Sequence, residues 1–121
     1  MAVIRIKTEA LTGIALDWAV AQCERGTFTK GWVLRDLDMG IVPAGWACST
    51  DWLAGGPIIE REWLDVTPWP NEADEERRWS CEQHDAPVPD MYYGPTPLIA
   101  AMRCYVASKL GQEVEIPGEL A

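Results

Sequence analysis

The chain has 121 residues, which fits a single domain over 1–121 and is enough to bury a core without disulfide staples. Its net charge is −9, with 19 acidic against 10 basic residues and no basic run, so direct binding to duplex DNA through the phosphates is not expected; basic partners or plain solubility fit better. No apolar run reaches the ~18 residues a membrane span requires. The four cysteines, Cys23, Cys48, Cys81 and Cys104, are isolated and form no CxxC pair. Met1 leads into an alternating segment rather than a charged n-region and apolar core, so no signal peptide and a cytoplasmic chain with reduced thiols are expected.

In chain order, Val3-Ile4-Arg5-Ile6-Lys7 alternates and predicts a strand. A helix follows over about 13–25, opened at Thr12-Gly13, carrying Ile14 and Trp18 on adjacent stripes and closed by Gly26. Glycines and Pro43 punctuate short apolar pieces over 27–48, which suits a loose hairpin. Gly55-Gly56-Pro57 predicts a turn into a short helix over 57–64, with Pro57 at its first position, Glu60 in its first turn and Ile58, Ile59 and Trp63 packed inward. Pro68, Pro70 and the acidic residues 72–76 predict a solvated loop, and 77–83 with 88–93 a second hairpin. The clearest stretch comes last. Thr96 and Pro97 open a helix over 97–110 with Leu98, Met102, Val106 and Leu110 on one stripe, Gly111 ends it, and Glu113-Val114-Glu115-Ile116 alternates as a strand. The fold class is α+β: two main helices and a short one on a small, mostly antiparallel sheet, with the first and last strands in the same sheet.

Seven tryptophans stand against one phenylalanine. Each indole is by default a core residue, yet a domain this small cannot bury all of them, which leaves some for a groove or an interface. The best candidate site is Ser49-Thr50-Asp51-Trp52 followed by Gly55 and Gly56. If the glycine turn opens a helix, its backbone N–H groups could hold an anion, with Arg103 as a forked donor and Tyr93 as a stacking ring. The plainer reading makes Ser49, Thr50 and Asp51 turn and capping residues. No Gly-Lys-Ser/Thr follows, so the stretch is not a P-loop. Cys81 and His84 have a two-ligand spacing, but zinc needs two further partners, and neither a metal nor a cofactor is expected. His84 is the only histidine, which leaves little room for a nucleophilic triad. Asp17 is expected to be solvated or salt-bridged.

Three segments, LTGIALDWAVAQCERG (11–26), STDWLAGGPIIERE (49–62) and YGPTPLIAAMRCYVASKLGQEVEIPGEL (93–120), together resemble the NinX-like family of small tailed-phage and prophage proteins. They are collinear and cover about half of the chain. The family's recurring positions fall on Asp17, Trp18, Ser49 to Trp52, Gly55 to Pro57, Glu60, Gly94 to Pro97 and Arg103. The resemblance implies a phage product made in the bacterial host cytoplasm and carries no mechanism. The expected function is a non-enzymatic accessory protein that binds a host or phage protein. The alternative is a binder of a small, nucleotide-like or other anionic ligand at the STDWxxGGP turn.

Overall fold

A computed structural model describes residues 3–24, 46–84 and 90–121. The hairpin expected over 27–48 falls almost entirely outside the described residues. In order, the elements are β1 (Val3–Lys7), α1 (Gly13–Cys23), α2 (Trp52–Glu62), β2 (Leu64–Pro68), β3 (Trp79–Gln83), β4 (Tyr92–Gly94), α3 (Pro97–Leu110) and β5 (Glu113–Pro117). Short 3-10 turns occupy Thr8–Ala10, Glu75–Arg77 and Gly118–Leu120.

The architecture is α+β, as the patterning implies, but the strands form two antiparallel sheets instead of one. β1 pairs with β5 from Val3↔Pro117 to Lys7↔Glu113, which joins the two ends of the chain, and Arg5 bridges to Glu115 at 3.1 Å across that ladder. The second sheet has the order β2-β3-β4. Its outer strand β2 lies where the sequence pattern suggested the end of a helix and a proline-rich loop. Pro68 is tolerated because it stands at the last position of an edge strand, where it removes no central ladder bond.

α3 is the centre of the molecule and contacts α1, α2 and strands from both sheets. The single-stripe reading of this helix is therefore too narrow: Ala100 through Val106 are all buried, Arg103 included, while Leu110 is exposed. A helix enclosed on all sides has no polar face. Small residues make this possible, because Ala100 and Ala101 let neighbouring backbones approach closely. Its ends follow the local signals. Thr96 Oγ accepts the Ile99 N–H at 3.1 Å, Pro97 is the first helical residue, and Gly111 takes φ 94° at the stop. α1 behaves in the same way, with Ala15 through Ala21 buried and Ile14 turned out to solvent.

α2 departs most from expectation. It begins at Trp52, five residues before Pro57, and the Gly-Gly-Pro triplet lies inside it. The Asp51 carboxylate accepts the Leu53 N–H at 3.0 Å, and the Asp51 carbonyl accepts the Gly55 N–H at 2.9 Å, so the helix is nucleated by Asp51 and not by the proline. Glu60 therefore sits in the helix body, not in its first turn. Pro57 cannot donate to the Leu53 carbonyl four residues back, but Leu53 is on the outer face, where water can satisfy that oxygen. Trp63 ends the helix in the left-handed region at φ 54° and points outward, 71% exposed, instead of packing inward with Ile58.

Candidate functional site

The segment before α2 is fixed to α1 by Asp17. This carboxylate is buried, not solvated as its type suggested. It accepts the Ser49 N–H at 2.9 Å and the Cys48 S–H at 3.4 Å. The chain then turns, with the Thr50 and Asp51 N–H groups donating to the Ala47 carbonyl at 3.0 and 2.7 Å. Gly55 lets α2 settle on this turn. A Cβ there would lie 2.5 Å from the Cys48 carbonyl oxygen and 2.7 Å from Leu98 Cδ2. Gly56 has more room: a Cβ would meet only Trp52 Cε3, at 3.9 Å.

The start of α2 thereby comes to lie beside the start of α3. Between them is a crevice of about 270 Å³ lined by Ser49, Thr50, Trp52, Thr96, Pro97 and Leu98. Ser49 is only 2% exposed, and its Oγ is buried without a hydrogen-bond partner. Among the described residues no lysine or arginine lines the crevice, and the adjacent Asp51 carboxylate is committed to its own helix. Gly55 and Gly56 lie within α2, so their amides do not form the open helix start that an anion cradle would need. Trp52, 56% exposed, and Leu53, 86% exposed, continue the crevice onto the outer face of α2, where Pro57 and Glu60 are also exposed.

Tyr93 and Arg103, which the sequence suggested as partners of this stretch, lie elsewhere. They share a separate depression with Thr12 and Arg77. Arg103 Nε donates to the Leu11 carbonyl at 2.8 Å and Nη1 to the Tyr93 carbonyl at 2.7 Å, so the guanidinium ties the start of α1 and strand β4 to α3. Burial holds its pKa below the ordinary arginine value, against the opposing effect of Glu76. The eight candidate residues thus divide. Ser49, Thr50 and Trp52 line one crevice, Asp51, Gly55 and Gly56 shape its floor and helix, and Tyr93 and Arg103 belong to the second depression. Thr96 and Pro97 carry a strong signal as a helix start, but no local signal shows which other helix start they face.

The thiols are chemically quiet. Burial, reinforced by Glu24, pushes Cys23 up to about 12, and burial beside Asp17 also raises Cys48. A shared hydrogen bond with Cys104, then burial, raises Cys81. At pH 8 a thiol with a pKa near 12 is about one part in ten thousand thiolate, and the thiolate is the nucleophile. Iodoacetamide at pH 8 is therefore expected to leave the native protein unmodified and to label all four cysteines once it is denatured. An intact-mass adduct on the native protein at half-buried Cys23 would contradict this. His84 Nδ1 lies 3.3 Å from Asp65 Oδ2, and its ring stacks against Trp63 at 6.0 Å. Among the described residues, no group of three or more His, Cys, Asp or Glu side chains is placed to hold a metal, so the Cys81–His84 spacing gains no further ligands there. Among the same residues, no helix is long and apolar enough to cross a membrane.

A search of curated proteins returns no match. A family model described as Bacteriophage P22, NinX matches residues 7–109, a span that takes in α1, α2, most of α3 and the crevice; the chain belongs to this NinX family of phage proteins.

Proposed function

We propose that this NinX-family protein is a non-enzymatic accessory protein of the phage, active in the host cytoplasm, that binds a host or phage protein through the outer face of α2 and the crevice beside it. One observation carries the reading: Trp52 and Leu53 are adjacent, 56% and 86% exposed, beside a crevice lined by Ser49, Thr50 and Thr96. In a small domain, a tryptophan and a leucine left in water next to a pocket make the kind of aromatic anchor that dominates interface energetics. The Trp52 ring lies close to Gly56, where a Cβ would be 3.9 Å from its Cε3. The acidic surface of the chain favours a partner that brings an apolar anchor with basic flanks. A small anion fits this crevice less well, because no cation lines it among the described residues.

The test is a pull-down from phage-infected lysate with native mass spectrometry, run on the wild type and on Trp52→Ala and Leu53→Asp. Both side chains are exposed, so each substitution should change stability by no more than ~0.5 kcal/mol. A stoichiometric protein retained by the wild type and lost from both variants supports the reading. A partner that both variants retain places the interface elsewhere, and no stoichiometric partner at all counts against protein binding.

A further inference from the structure

Arg103 is a charged side chain only 5% exposed. Two of its nitrogens are spent on the Leu11 and Tyr93 carbonyls, which are neutral. The Glu76 carboxylate lies 3.7 Å from Nη1, on a side chain that is 67% exposed, and the Glu9 carboxylate in the same depression adds a further negative charge. Nη2 meets no acceptor among the described residues and is not among the buried, unpartnered atoms, so it keeps some contact with solvent, and Arg103 lines the depression. A guanidinium held in place by two backbone carbonyls, with one edge free, is a pre-organised fork for a carboxylate or phosphate.

Three further features meet at the same place. Arg77 lies over the Tyr93 ring at 4.1 Å, which holds a second guanidinium beside the first. Thr12 lines the depression and is the N-cap of α1, yet its side chain makes no capping bond and no acidic residue occupies the first turn of that helix. The first bond back to Thr12 comes from the Leu16 N–H at 3.3 Å, so the amides of Gly13, Ile14 and Ala15 precede the hydrogen-bonded ladder. The depression has a volume of about 530 Å³, within the range of small-molecule sites, and Glu9 and Asp74 stand on its rim.

We propose that this depression is a binding site for a nucleotide-like anion, a phosphorylated small molecule that also carries hydroxyl or amino donors. The phosphate oxygens take the free edge of Arg103, the Arg77 guanidinium and the uncapped start of α1. Glu76 occupies the charge position when the site is empty and swings into solvent when the phosphate arrives. Glu9 and Asp74 accept hydrogen bonds from sugar hydroxyls or base amines and repel anions that offer no donors. That selectivity separates this ligand class from bare phosphate. Among the described residues the site shares no lining residue with the crevice beside α2.

The experiment uses the full chain labelled with 15N, titrated with AMP and, separately, with inorganic phosphate. AMP is expected to shift the Gly13 to Ala15 amides and the Arg103 Nε–H, and to bind at least about tenfold tighter than phosphate. Glu76→Gln removes the competing carboxylate and should tighten AMP about threefold or more, and Arg77→Gln should weaken it by a similar factor. Both side chains are exposed, and the same spectra report whether the fold is kept. The proposal is overturned by any of three results: no saturable shift with AMP up to about 10 mM even in Glu76→Gln, shifts confined to residues 49–52 and 96–98, or phosphate binding as tightly as AMP.

Discussion

Gly55→Ala should lower the melting temperature by about 8 °C, whereas Gly56→Ala, one residue on, should raise it by about 2–4 °C. Both residues are in α2, and both gain ~0.5–1 kcal/mol of helix propensity on becoming alanine. They differ in what the new methyl meets. At 55 it would lie 2.5 Å from the Cys48 carbonyl oxygen, which is backbone and cannot rotate away, and 2.7 Å from Leu98 Cδ2. To relieve both, α2 must lift from the 46–49 turn and from α3, an overpacking cost of about 3 kcal/mol that leaves a net loss of about 2. At 56 the nearest atom is Trp52 Cε3 at 3.9 Å, an ordinary contact, so the propensity gain survives. Thermal and urea unfolding of the two variants checks the pair. Equal losses at both sites would mean that α2 does not sit on the turn as described. Because Gly55 sets the distance between the two helix starts, its variant should also disrupt the partner binding proposed for Trp52 and Leu53, while Gly56→Ala keeps it.

The same glycines show where sequence reasoning reaches its limit. Gly-Gly-Pro is a strong local breaker, and on propensity alone it ends or begins a helix. Here tertiary contact overrides propensity: the helix passes through because only a glycine fits against the Cys48 carbonyl and because Asp51 caps the chain five residues earlier than the proline suggests. α3 was legible because its signals are local. Thr96, Pro97 and Gly111 mark its ends without reference to anything distant. Its surroundings were not legible, since a stripe of Leu98, Met102 and Val106 says which residues are apolar but not that Arg103 and Tyr105 between them are enclosed as well. Asp17 and Arg103 show the same limit in charged form. Each is buried because a particular backbone group from a remote segment meets it, Ser49 N–H for one and the Leu11 and Tyr93 carbonyls for the other. Such pairings have no signature in spacing. For that reason the sequence pattern groups Arg103 with the Ser49–Trp52 stretch, while the structure places it in a depression with Thr12 and Arg77.

Arg61→Ala should cost about 2–3 kcal/mol, or about 10 °C, and most of that loss should reflect the carboxylate left behind. Glu24 follows the last residue of α1, where the helix dipole disfavours a negative charge, and it is 5% exposed. Arg61 makes the position tenable by a two-pronged contact, Nη1 to Oε1 at 3.0 Å and Nη2 to Oε2 at 2.8 Å, while the Tyr105 hydroxyl donates to the same carboxylate. Arg61 is itself 45% exposed, so water can enter when it is removed, which places the cost at the low end of what breaking a buried pair brings. Neutralising the orphan should rescue it. Glu24→Gln in the Arg61→Ala background is expected to recover about 1 kcal/mol or more of coupling in a double-mutant cycle. Additive losses would show that the pair is not coupled. The pH dependence gives a second check on the same arginine. Arg61 donates to Glu62 at 2.9 Å, and that hydrogen bond, supported by Lys109, holds the Glu62 carboxyl below its ordinary value of 4.5. A group whose folded pKa is depressed adds stability that is complete above its unfolded pKa and is lost as pH falls through the folded one. The wild type should therefore lose this contribution below pH 4.5, whereas Arg61→Ala has already lost most of it. The stability gap between them should be widest near neutrality and narrow under acid conditions; a gap that stays constant from pH 7 to pH 3 would show that Arg61 does not act through these carboxylates.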